Sequence, residues 1–114
     1  MERLFDAVEL SKYNGENGTP IYISVMGVVY DCSTATEFYG TGAFYHVFAG
    51  KDVSRCLAKM LISDEEANAS WSNLAEEHRE VLDEWSAKYR EKYPVVGRFL
   101  SDDLFERRGA AMEP

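Results

Sequence analysis

The sequence predicts a small α+β domain, in which a few short strands have helices gathered beside them. Apolar residues alternate from Ile21 to Val25, which is the pattern of a half-buried strand. Between Ala75 and Tyr93 they recur every three or four positions, which is the pattern of an amphipathic helix. The chain has 114 residues, of which 46% are hydrophobic, so it is long enough to bury the core of one domain.

The N-terminal part is predicted to begin with a strand and a short helix. Met1 to Phe5 is typical of a short edge strand. A capping box follows, with Asp6 as the N-cap and Glu9 three positions later. The helix that starts there is expected to end near Tyr13, before a turn over residues 14–18.

Strands are indicated most clearly from Pro20 to Asp31. Gly27 interrupts the alternating run, so this region is predicted to form a hairpin or two short paired strands. No clear period is present from Tyr39 to Gly50, where we expect loops and single turns.

Two helices are expected after this region. Asp52 is predicted to cap a helix from Val53 to Met60, with Leu57 and Met60/Leu61 on its inner face. The longest helix is expected to run from about Ala75 to Tyr93, with an inner face that contains Val81/Leu82, Trp85 and Tyr89.

The C-terminal part is predicted to contain one more strand and a tail. Pro94 should stop the long helix, because proline cannot continue it. Val95 to Phe99 should then return as a strand. The tail from Ser101 to Pro114 is polar and is expected to be frayed.

Charge and hydropathy disfavour several classes of protein. Twenty acidic residues against twelve basic ones give a formal net charge of −8. This charge disfavours nucleic acid and anionic membrane surfaces, and it favours basic partners or uncharged ligands. The chain has no apolar run of about 18 residues and no signal-peptide pattern, so we expect a cytoplasmic protein without a transmembrane segment, or a soluble piece of a larger protein.

Motifs for catalysis are absent from the sequence. There is no phosphate-binding loop, dinucleotide fingerprint or nucleophile elbow. Cys32 and Cys56 have no zinc or haem-attachment spacing and are predicted to be buried free thiols. His46 and His78 are far apart in the sequence, and His78 is expected to be exposed on a charged helix. We therefore predict that the protein is not an enzyme.

Aromatic residues and glycines are concentrated in one segment. The aromatic members are Phe38, Tyr39, Phe44, Tyr45 and Phe48. The pattern alone leaves two interpretations open. The segment is either part of the core with tight turns, or one wall of an apolar pocket in which tyrosine hydroxyls supply the polar groups.

The same segment carries the block Y-x-x-F-A-G-x-D-x-S-R-x-L, which begins at Tyr45. This block, with Pro20–Ile23, Gly27–Asp31 and Lys92–Gly97, resembles the membrane-associated progesterone receptor family. That family is a branch of the cytochrome b5-like haem/steroid-binding domains, and the soluble plant and algal members look most similar. The resemblance implies a cytochrome b5-like fold with a haem pocket, formed by residues 1–100, and residues 101–114 as a tail.

The resemblance also implies that haem b is bound non-covalently, with Tyr45 as the axial ligand of the iron. Tyr39, Lys92 and Tyr93 are implied to line the same pocket and to hydrogen-bond the ligand oxygen or a haem propionate. A free tyrosine has a pKa of about 10, so ferric iron and neighbouring donors must favour the phenolate. The H-P-G-G loop of cytochrome b5 itself is absent, so electron transfer through two histidine ligands is not implied.

Three polar residues within the block, His46, Asp52 and Arg55, are expected to support the site or the fold rather than to bind the iron. His46 follows Tyr45 directly, and neighbouring side chains point in different directions. We therefore expect His46 to support the site or to lie on the surface; its replacing Tyr45 as the ligand is the alternative. Asp52 is expected to cap its helix, and Arg55 to pair locally.

By this resemblance the chain is an accessory or haem-handling protein in sterol or lipid metabolism. Its implied partners are haem-thiolate monooxygenases, and a haem-stacked homodimer is a further hypothesis. Two alternatives remain: a module that binds a steroid or another apolar molecule without haem, and a protein-interaction adaptor. The expected location is cytoplasmic, peripheral to the endoplasmic reticulum or other endomembranes through partners.

Overall fold

The computed structural model describes residues 3–114. Its architecture is a four-stranded mixed sheet with helices beside it, so the predicted α+β class is confirmed. The strands are β1 (Leu4–Phe5), β2 (Tyr22–Val25), β3 (Val28–Asp31) and β4 (Val95–Phe99). The helices are α1 (Ala7–Ser11), α2 (Thr36–Tyr39), α3 (Ser54–Lys59), α4 (Glu76–Lys92) and α5 (Asp103–Ala110), and single 3₁₀ turns lie at Glu16–Gly18 and His46–Phe48.

The strands lie in the order β1-β4-β3-β2. β1 pairs in parallel with β4, and the other pairs are antiparallel. The predicted hairpin is confirmed, because Met26 and Gly27 join β2 to β3 with φ angles of 50° and 78°. Positive φ at both central residues matches the right-handed twist of the flanking strands. β1 is the edge strand that was predicted, although Met1 and Glu2 lie outside the described residues.

Both faces of the sheet are covered. A small cluster of Phe5, Leu10 and Val29 lies on the side of α1. The larger cluster contains Ile23 and Val25 of β2 together with residues of α3 and α4. The larger cluster therefore joins the sheet to α3 and α4. These two helices border the cavity described below.

The N-terminus of α1 is capped as the sequence predicts. The Asp6 Oδ1 atom accepts a hydrogen bond of 2.8 Å from the backbone N–H of Glu9. The other half of the capping box is not formed, because the Glu9 carboxylate pairs with Lys12 at 2.9 Å. α1 ends at Ser11, two residues before Tyr13.

The long helix α4 ends before Pro94, as predicted, because Tyr93 already has extended backbone angles. Its buried residues are Leu82, Ser86 and Tyr89, which are spaced by four and three positions and so share one face. This face packs against the larger cluster and brings the C-terminal turn of α4 close to the aromatic segment.

The prediction that Asp52 is the N-cap of α3 is wrong, since the N-cap is Val53 and the helix begins at Ser54. Asp52 is 1% exposed, and its carboxylate accepts hydrogen bonds from the Ser24 hydroxyl at 2.6 Å and the Ser54 N–H at 3.1 Å. It therefore joins β2 to the start of α3. The inner-face assignment of Met60 is also wrong, because this residue ends α3 in a left-handed conformation and is 75% exposed.

The prediction that residues 101–114 fray is wrong. Asp102 caps α5 by accepting the Phe105 N–H at 2.9 Å, and the Phe105 side chain is buried. The Asn73 amide donates to the carbonyl oxygens of Gly109 and Met112 at 3.0 and 3.3 Å. A polar segment is ordered here because it docks on the rest of the domain.

Gly109 permits this close docking of α5. A Cβ atom at this position would lie 2.2 Å from the carbonyl oxygen of Ser70, so any side chain would force the two segments apart. Ser70 also donates its backbone N–H to the carbonyl oxygen of Phe105 at 2.9 Å.

Candidate functional site

A cavity of about 700 Å³ lies between α3, α4 and the aromatic segment. This volume lies within the range of small-molecule and cofactor sites. The wall from α3 and the residues after it contains Leu57, Met60, Leu61 and Ile62. Met60 is 75% exposed and Ile62 is 45% exposed, so these apolar side chains form part of the mouth rather than of the core.

The aromatic segment forms the opposite wall through two turns. The Tyr45 N–H donates to the Phe38 carbonyl at 3.0 Å, and the Phe48 N–H donates to the Tyr45 carbonyl at 3.0 Å. These turns place the ring centroids of Tyr39 and Tyr45 6.4 Å apart. Phe48 is 4% exposed and belongs to the core, whereas Tyr39 and Tyr45 are half-buried and line the cavity. The segment therefore contributes both to the core and to the wall of the pocket.

His46 belongs to the same segment but does not line the cavity. Its Nδ1 atom is 2.9 Å from the carbonyl oxygen of Tyr39, to which it donates in the tautomer protonated at Nδ1. Its Nε2 atom is 4.0 Å from a carboxylate oxygen of Glu16. His46 thus supports the backbone of the aromatic segment, in agreement with the supporting role expected from its position.

Three tyrosines form a cluster along the inner part of the cavity. The hydroxyl groups of Tyr39 and Tyr89 are 2.8 Å apart and share a hydrogen bond. Burial raises the pKa of Tyr39, Tyr89 and Tyr93 above the ordinary tyrosine value. All three side chains are therefore neutral phenols at neutral pH.

Tyr45 differs from this cluster in its hydrogen bonding. Its ring lies 5.8 Å from that of Phe48 and 5.1 Å from that of Phe44, centroid to centroid. Among residues 3–114, no side chain or backbone group forms a hydrogen bond with the Tyr45 hydroxyl, whereas Tyr39 and Tyr89 bond to each other. Tyr45 therefore offers a phenol oxygen to whatever occupies the cavity.

Two lysines of α4 stand at the rim. Lys92 Nζ lies 5.5 Å from the ring centroids of both Phe38 and Tyr93. Lys88 Nζ lies 4.8 Å from the ring centroid of Trp85. Both lysines line the cavity and keep their charged ends exposed to solvent. They can accept an anionic group of a bound molecule at the mouth.

The structure brings all four predicted site residues, Tyr39, Tyr45, Lys92 and Tyr93, to this one cavity. Sequence reasoning missed the role of Tyr89 in the site, because helical spacing assigned it to the core. A signal was available: Tyr89 precedes Tyr93 by four positions, and such residues share a helix face.

The other candidates for chemistry lie elsewhere or are inert. Burial raises the pKa of the Cys56 thiol to about 11, and Cys32 is likewise a buried free cysteine, so the prediction for both thiols is confirmed. The expected exposure of His78 is wrong: this residue is half-buried, and its Nδ1 atom is buried without a hydrogen-bond partner among the described residues. No group of three or more His, Cys, Asp or Glu within residues 3–114 could hold a metal ion.

These properties fit a haem group. The cavity has the size of a cofactor site, and its walls are largely apolar and aromatic. It contains a phenol oxygen that has no hydrogen-bond partner among the described residues. Two lysines at its mouth can pair with acidic side groups of a bound molecule. Tyrosine is a known haem ligand, so the donor set also agrees with the chemistry.

Comparison with known proteins identifies the family of this domain. The family described as "Cytochrome b5-like Heme/Steroid binding domain" matches residues 6–100. "Probable steroid-binding protein 3" of Arabidopsis thaliana is 45% identical over 98 residues, which cover 85% of this chain and 98% of that protein. The chain belongs to the cytochrome b5-like haem/steroid-binding domain family.

Other family members are similar over most of the chain. "Cytochrome P450 regulator dap1" of Schizosaccharomyces pombe is 36% identical, over 96% of this chain and 69% of that protein. The human "Membrane-associated progesterone receptor component 2" is 36% identical over 87% of this chain but only 46% of its own length. The resemblance to the membrane-associated progesterone receptor family is thereby confirmed, and these relatives carry the names of binding and regulator proteins.

The cytochrome b5-like fold is confirmed by solved structures of the family. An Arabidopsis thaliana protein with "a cytochrome b5 like fold" matches with a TM-score of 0.81 and 44% identity, over 88% of this chain and 93% of that chain. Several relatives are named as membrane proteins. Within the part of this chain that the structure describes, no helix is long and apolar enough to cross a membrane.

Proposed function

We propose that this domain binds haem b non-covalently in the cavity between α3 and α4, with Tyr45 as the axial ligand. The observation that carries the proposal is that Tyr45 lines the cavity and that its hydroxyl has no hydrogen-bond partner among the described residues. Bound ferric iron would supply a Lewis acid that favours the phenolate, and a hard anionic oxygen ligand favours the ferric state and a low reduction potential.

The remaining residues of the cavity have roles in this proposal. Leu57, Met60 and Trp85 line the cavity and would provide apolar surface to the bound group. Lys88 and Lys92 lie at the mouth, where their charges can pair with the propionates. Tyr39, whose ring centroid lies 6.4 Å from that of Tyr45, and Tyr93, which lines the same cavity, would donate hydrogen bonds to the ligand oxygen or to a propionate. The chain would thus hold haem by shape and by one oxygen ligand.

Beyond binding, we propose an accessory or haem-handling role in sterol or lipid metabolism. Support comes from relatives named as a steroid-binding protein and a cytochrome P450 regulator. The net charge of −8 suits docking to a basic surface of a haem-thiolate monooxygenase. Such docking would keep the domain on the cytoplasmic side of the endoplasmic reticulum or another endomembrane.

A haem-stacked homodimer is a further part of the proposal. Met60 and Ile62 line the cavity and are 75% and 45% exposed, and apolar groups at the mouth favour a partner surface. Light scattering of the protein with and without haem tests this point. A mass that doubles on haem addition is expected, and an unchanged monomer mass would exclude the dimer.

The experiment that tests haem binding is a haemin titration followed by absorbance. We compare the wild type with Tyr45→Phe, and with Tyr22→Phe as a matched control because Tyr22 packs on Tyr13, away from the cavity. Saturable binding with a high-spin ferric spectrum is expected in the wild type and the control. The spectrum should be lost in Tyr45→Phe. Binding that survives in Tyr45→Phe would show that another group holds the iron.

The second candidate function is binding of a steroid without haem. It is favoured by the largely apolar lining of the cavity, by its tyrosine hydroxyls and by relatives named as steroid-binding proteins. A ligand that binds only the folded state raises the unfolding temperature with its concentration. If progesterone raises it and haemin does not, the steroid candidate replaces the haem proposal. If neither molecule raises it, an interaction adaptor is the remaining interpretation.

A further inference from the structure

A second pocket lies where the start of α5 meets the hairpin turn between β2 and β3. This α5 pocket is lined by Gly27, Trp71, Phe99, Phe105, Glu106 and three serines. Its volume is about 160 Å³, which is smaller than the sites of whole drug-sized molecules. None of the described residues that line it also lines the larger cavity. It is therefore a separate site, with room for a small chemical group rather than for haem or a steroid.

The segments around the α5 pocket are held together by backbone hydrogen bonds. The Phe99 N–H donates to the carbonyl oxygen of Gly27 at 2.8 Å, and the Ser70 N–H donates to that of Phe105 at 2.9 Å. The ring centroids of Phe99 and Phe105 lie 5.0 Å apart, and their planes are inclined by 56°. The fold thus sets the shape of the pocket, and a ligand does not have to order these segments when it binds.

Three of the lining residues are aromatic, which favours a cation as the ligand. The ring of Trp71 already attracts one, because the guanidinium carbon of Arg79 lies 5.0 Å from its centroid, although Arg79 does not line the pocket. Cations lie over aromatic rings because the face of the ring carries partial negative charge. Groups of aromatic residues recognise quaternary ammonium ions for the same reason.

The charges at the α5 pocket also favour a cation. Glu106 lines the pocket, is exposed, and forms no hydrogen bond or ion pair through its carboxylate among residues 3–114. No lysine, arginine or histidine of the described residues lines the pocket. An anionic ligand would therefore meet only negative charge here. A cation would gain from Glu106 and from the net charge of −8.

The polar groups of the α5 pocket distinguish a quaternary ammonium ion from a primary one. The hydroxyl groups of Ser70 and Ser72 are 3.0 Å apart and share a hydrogen bond. A primary ammonium group has three N–H donors that each need an acceptor. A trimethylammonium group has none, and its methyl groups can contact the aromatic rings. We propose that the α5 pocket binds the trimethylammonium group of choline.

Free choline fits the α5 pocket better than a choline lipid does. The headgroup of such a lipid carries a phosphate next to the choline, and no basic residue of the described chain lines the pocket to pair with it. Ser101, the third serine of the pocket, is exposed and can form a hydrogen bond with the hydroxyl group of choline.

The test is a choline titration at constant ionic strength. The variant Trp85→Phe leaves Trp71 as the one tryptophan of the chain, so its fluorescence reports on the pocket. Saturable binding is expected with a Kd of about 1 mM, because cation–π contacts at exposed sites are individually weak. The neutral isostere of choline, in which a tert-butyl group replaces the trimethylammonium group, should not saturate. Equal binding of the isostere, or no saturation with choline, would overturn the proposal.

Two matched variants locate the binding. Glu106→Gln should weaken choline binding by about two- to fivefold, since an exposed ion pair is lost. Asp103→Asn removes an exposed carboxylate of the same helix that does not line the pocket, and it should leave the Kd unchanged. Equal effects of the two variants would overturn the proposal and assign the binding to overall charge. Broadening of the methyl NMR signal of choline by the wild-type protein, compared with Glu106→Gln, keeps the test available if Trp85→Phe does not fold.

A sedimentation assay with phosphatidylcholine vesicles separates free choline from the lipid headgroup. The protein is expected to stay in solution, because the pocket offers no cation to the lipid phosphate. Sedimentation that Glu106→Gln abolishes would overturn the proposal and assign the pocket to a membrane surface. Haemin binding is measured independently, so the failure of the haem proposal would leave this inference unaffected.

Discussion

The guanidinium group of Arg55 in α3 donates a hydrogen bond to the backbone carbonyl of Glu113. Arg55 is fully buried and also donates to the Glu66 carboxylate at 3.1 Å, the Ser70 carbonyl at 2.9 Å and the Asn73 amide oxygen at 2.6 Å. These partners are distant in sequence, so the expectation that Arg55 pairs locally is wrong. One buried cation thus holds the C-terminal segment against the helix whose next two residues, Cys56 and Leu57, line the cavity.

Removal of this cation should strongly destabilise the domain. Arg55→Met removes the fully buried partner of the ion pair and leaves the Glu66 carboxylate, which is 13% exposed, with only Lys59, and breaking a buried ion pair on one side costs about 3–5 kcal/mol. Lys59 pairs with the same carboxylate at 2.8 Å, but its side chain is 15% exposed, so Lys59→Met should cost less. Urea unfolding measures both variants. Equal losses for the two would contradict the central role of Arg55.

The C-terminal segment should belong to the cooperative core. Phe105 is buried, and its ring centroid lies 5.0 Å from that of Phe99 in β4. Phe105→Ala should lower the free energy of unfolding by about 3–5 kcal/mol, the usual cost of a large-to-small change in a core. Leu104→Ala is the matched control, since Leu104 is 55% exposed and should cost about 0.5 kcal/mol or less. If the tail were frayed, both substitutions would lower the free energy of unfolding by the same small amount.

The elements predicted correctly from the sequence are those whose signal is local. The alternation of apolar and polar residues predicts β2, and the spacing of Leu82 and Tyr89 predicts α4, because each pattern follows from the geometry of one element. α5 carries no such signal. Its order depends on contacts with Asn73 and Arg55, which are 36 and 58 positions from their partners Gly109 and Glu113, and no local pattern reports such contacts.

The candidate site was predicted through family resemblance rather than through the pattern of its residues. Tyr39 and Tyr45 lie in a segment without periodicity, so its turns and its cavity-facing side could not be predicted from spacing. Tyr89 was assigned to the core, and its 3% exposure agrees with that assignment. Its hydroxyl nevertheless reaches Tyr39, because the tyrosine combines an apolar ring with a polar end.

The rim lysines should contribute to haem affinity in a salt-dependent way. Lys92 is exposed at the mouth of the cavity, and an exposed ion pair is worth about 0–1 kcal/mol. Lys92→Gln should therefore weaken haemin binding by up to about fivefold at low salt, and by less at high salt. Arg90→Gln removes a cation of the same helix that does not line the cavity, and it should leave the affinity unchanged. Equal effects of the two variants would indicate an overall charge effect instead.

Asp52 should make stability depend on pH in the opposite sense to most carboxylates. Burial raises its pKa from 3.8 to about 6, so between these values the folded protein binds more protons than the unfolded chain. The contribution of Asp52 protonation to the free energy of unfolding is fully present below pH 3.8 and is lost as the pH rises through about 6.

Asp52→Asn tests this dependence, because the amide is neutral at every pH. The variant loses one hydrogen bond of the Asp52 carboxylate throughout, yet its stability relative to the wild type should improve between pH 4 and pH 7. Asp64→Asn is the control: its carboxylate pairs with Lys51 and its pKa is lowered, so its relative stability should worsen slightly with rising pH. Urea unfolding of the haem-free protein measures both. A constant difference between Asp52→Asn and the wild type would show that the buried carboxyl group keeps its ordinary pKa.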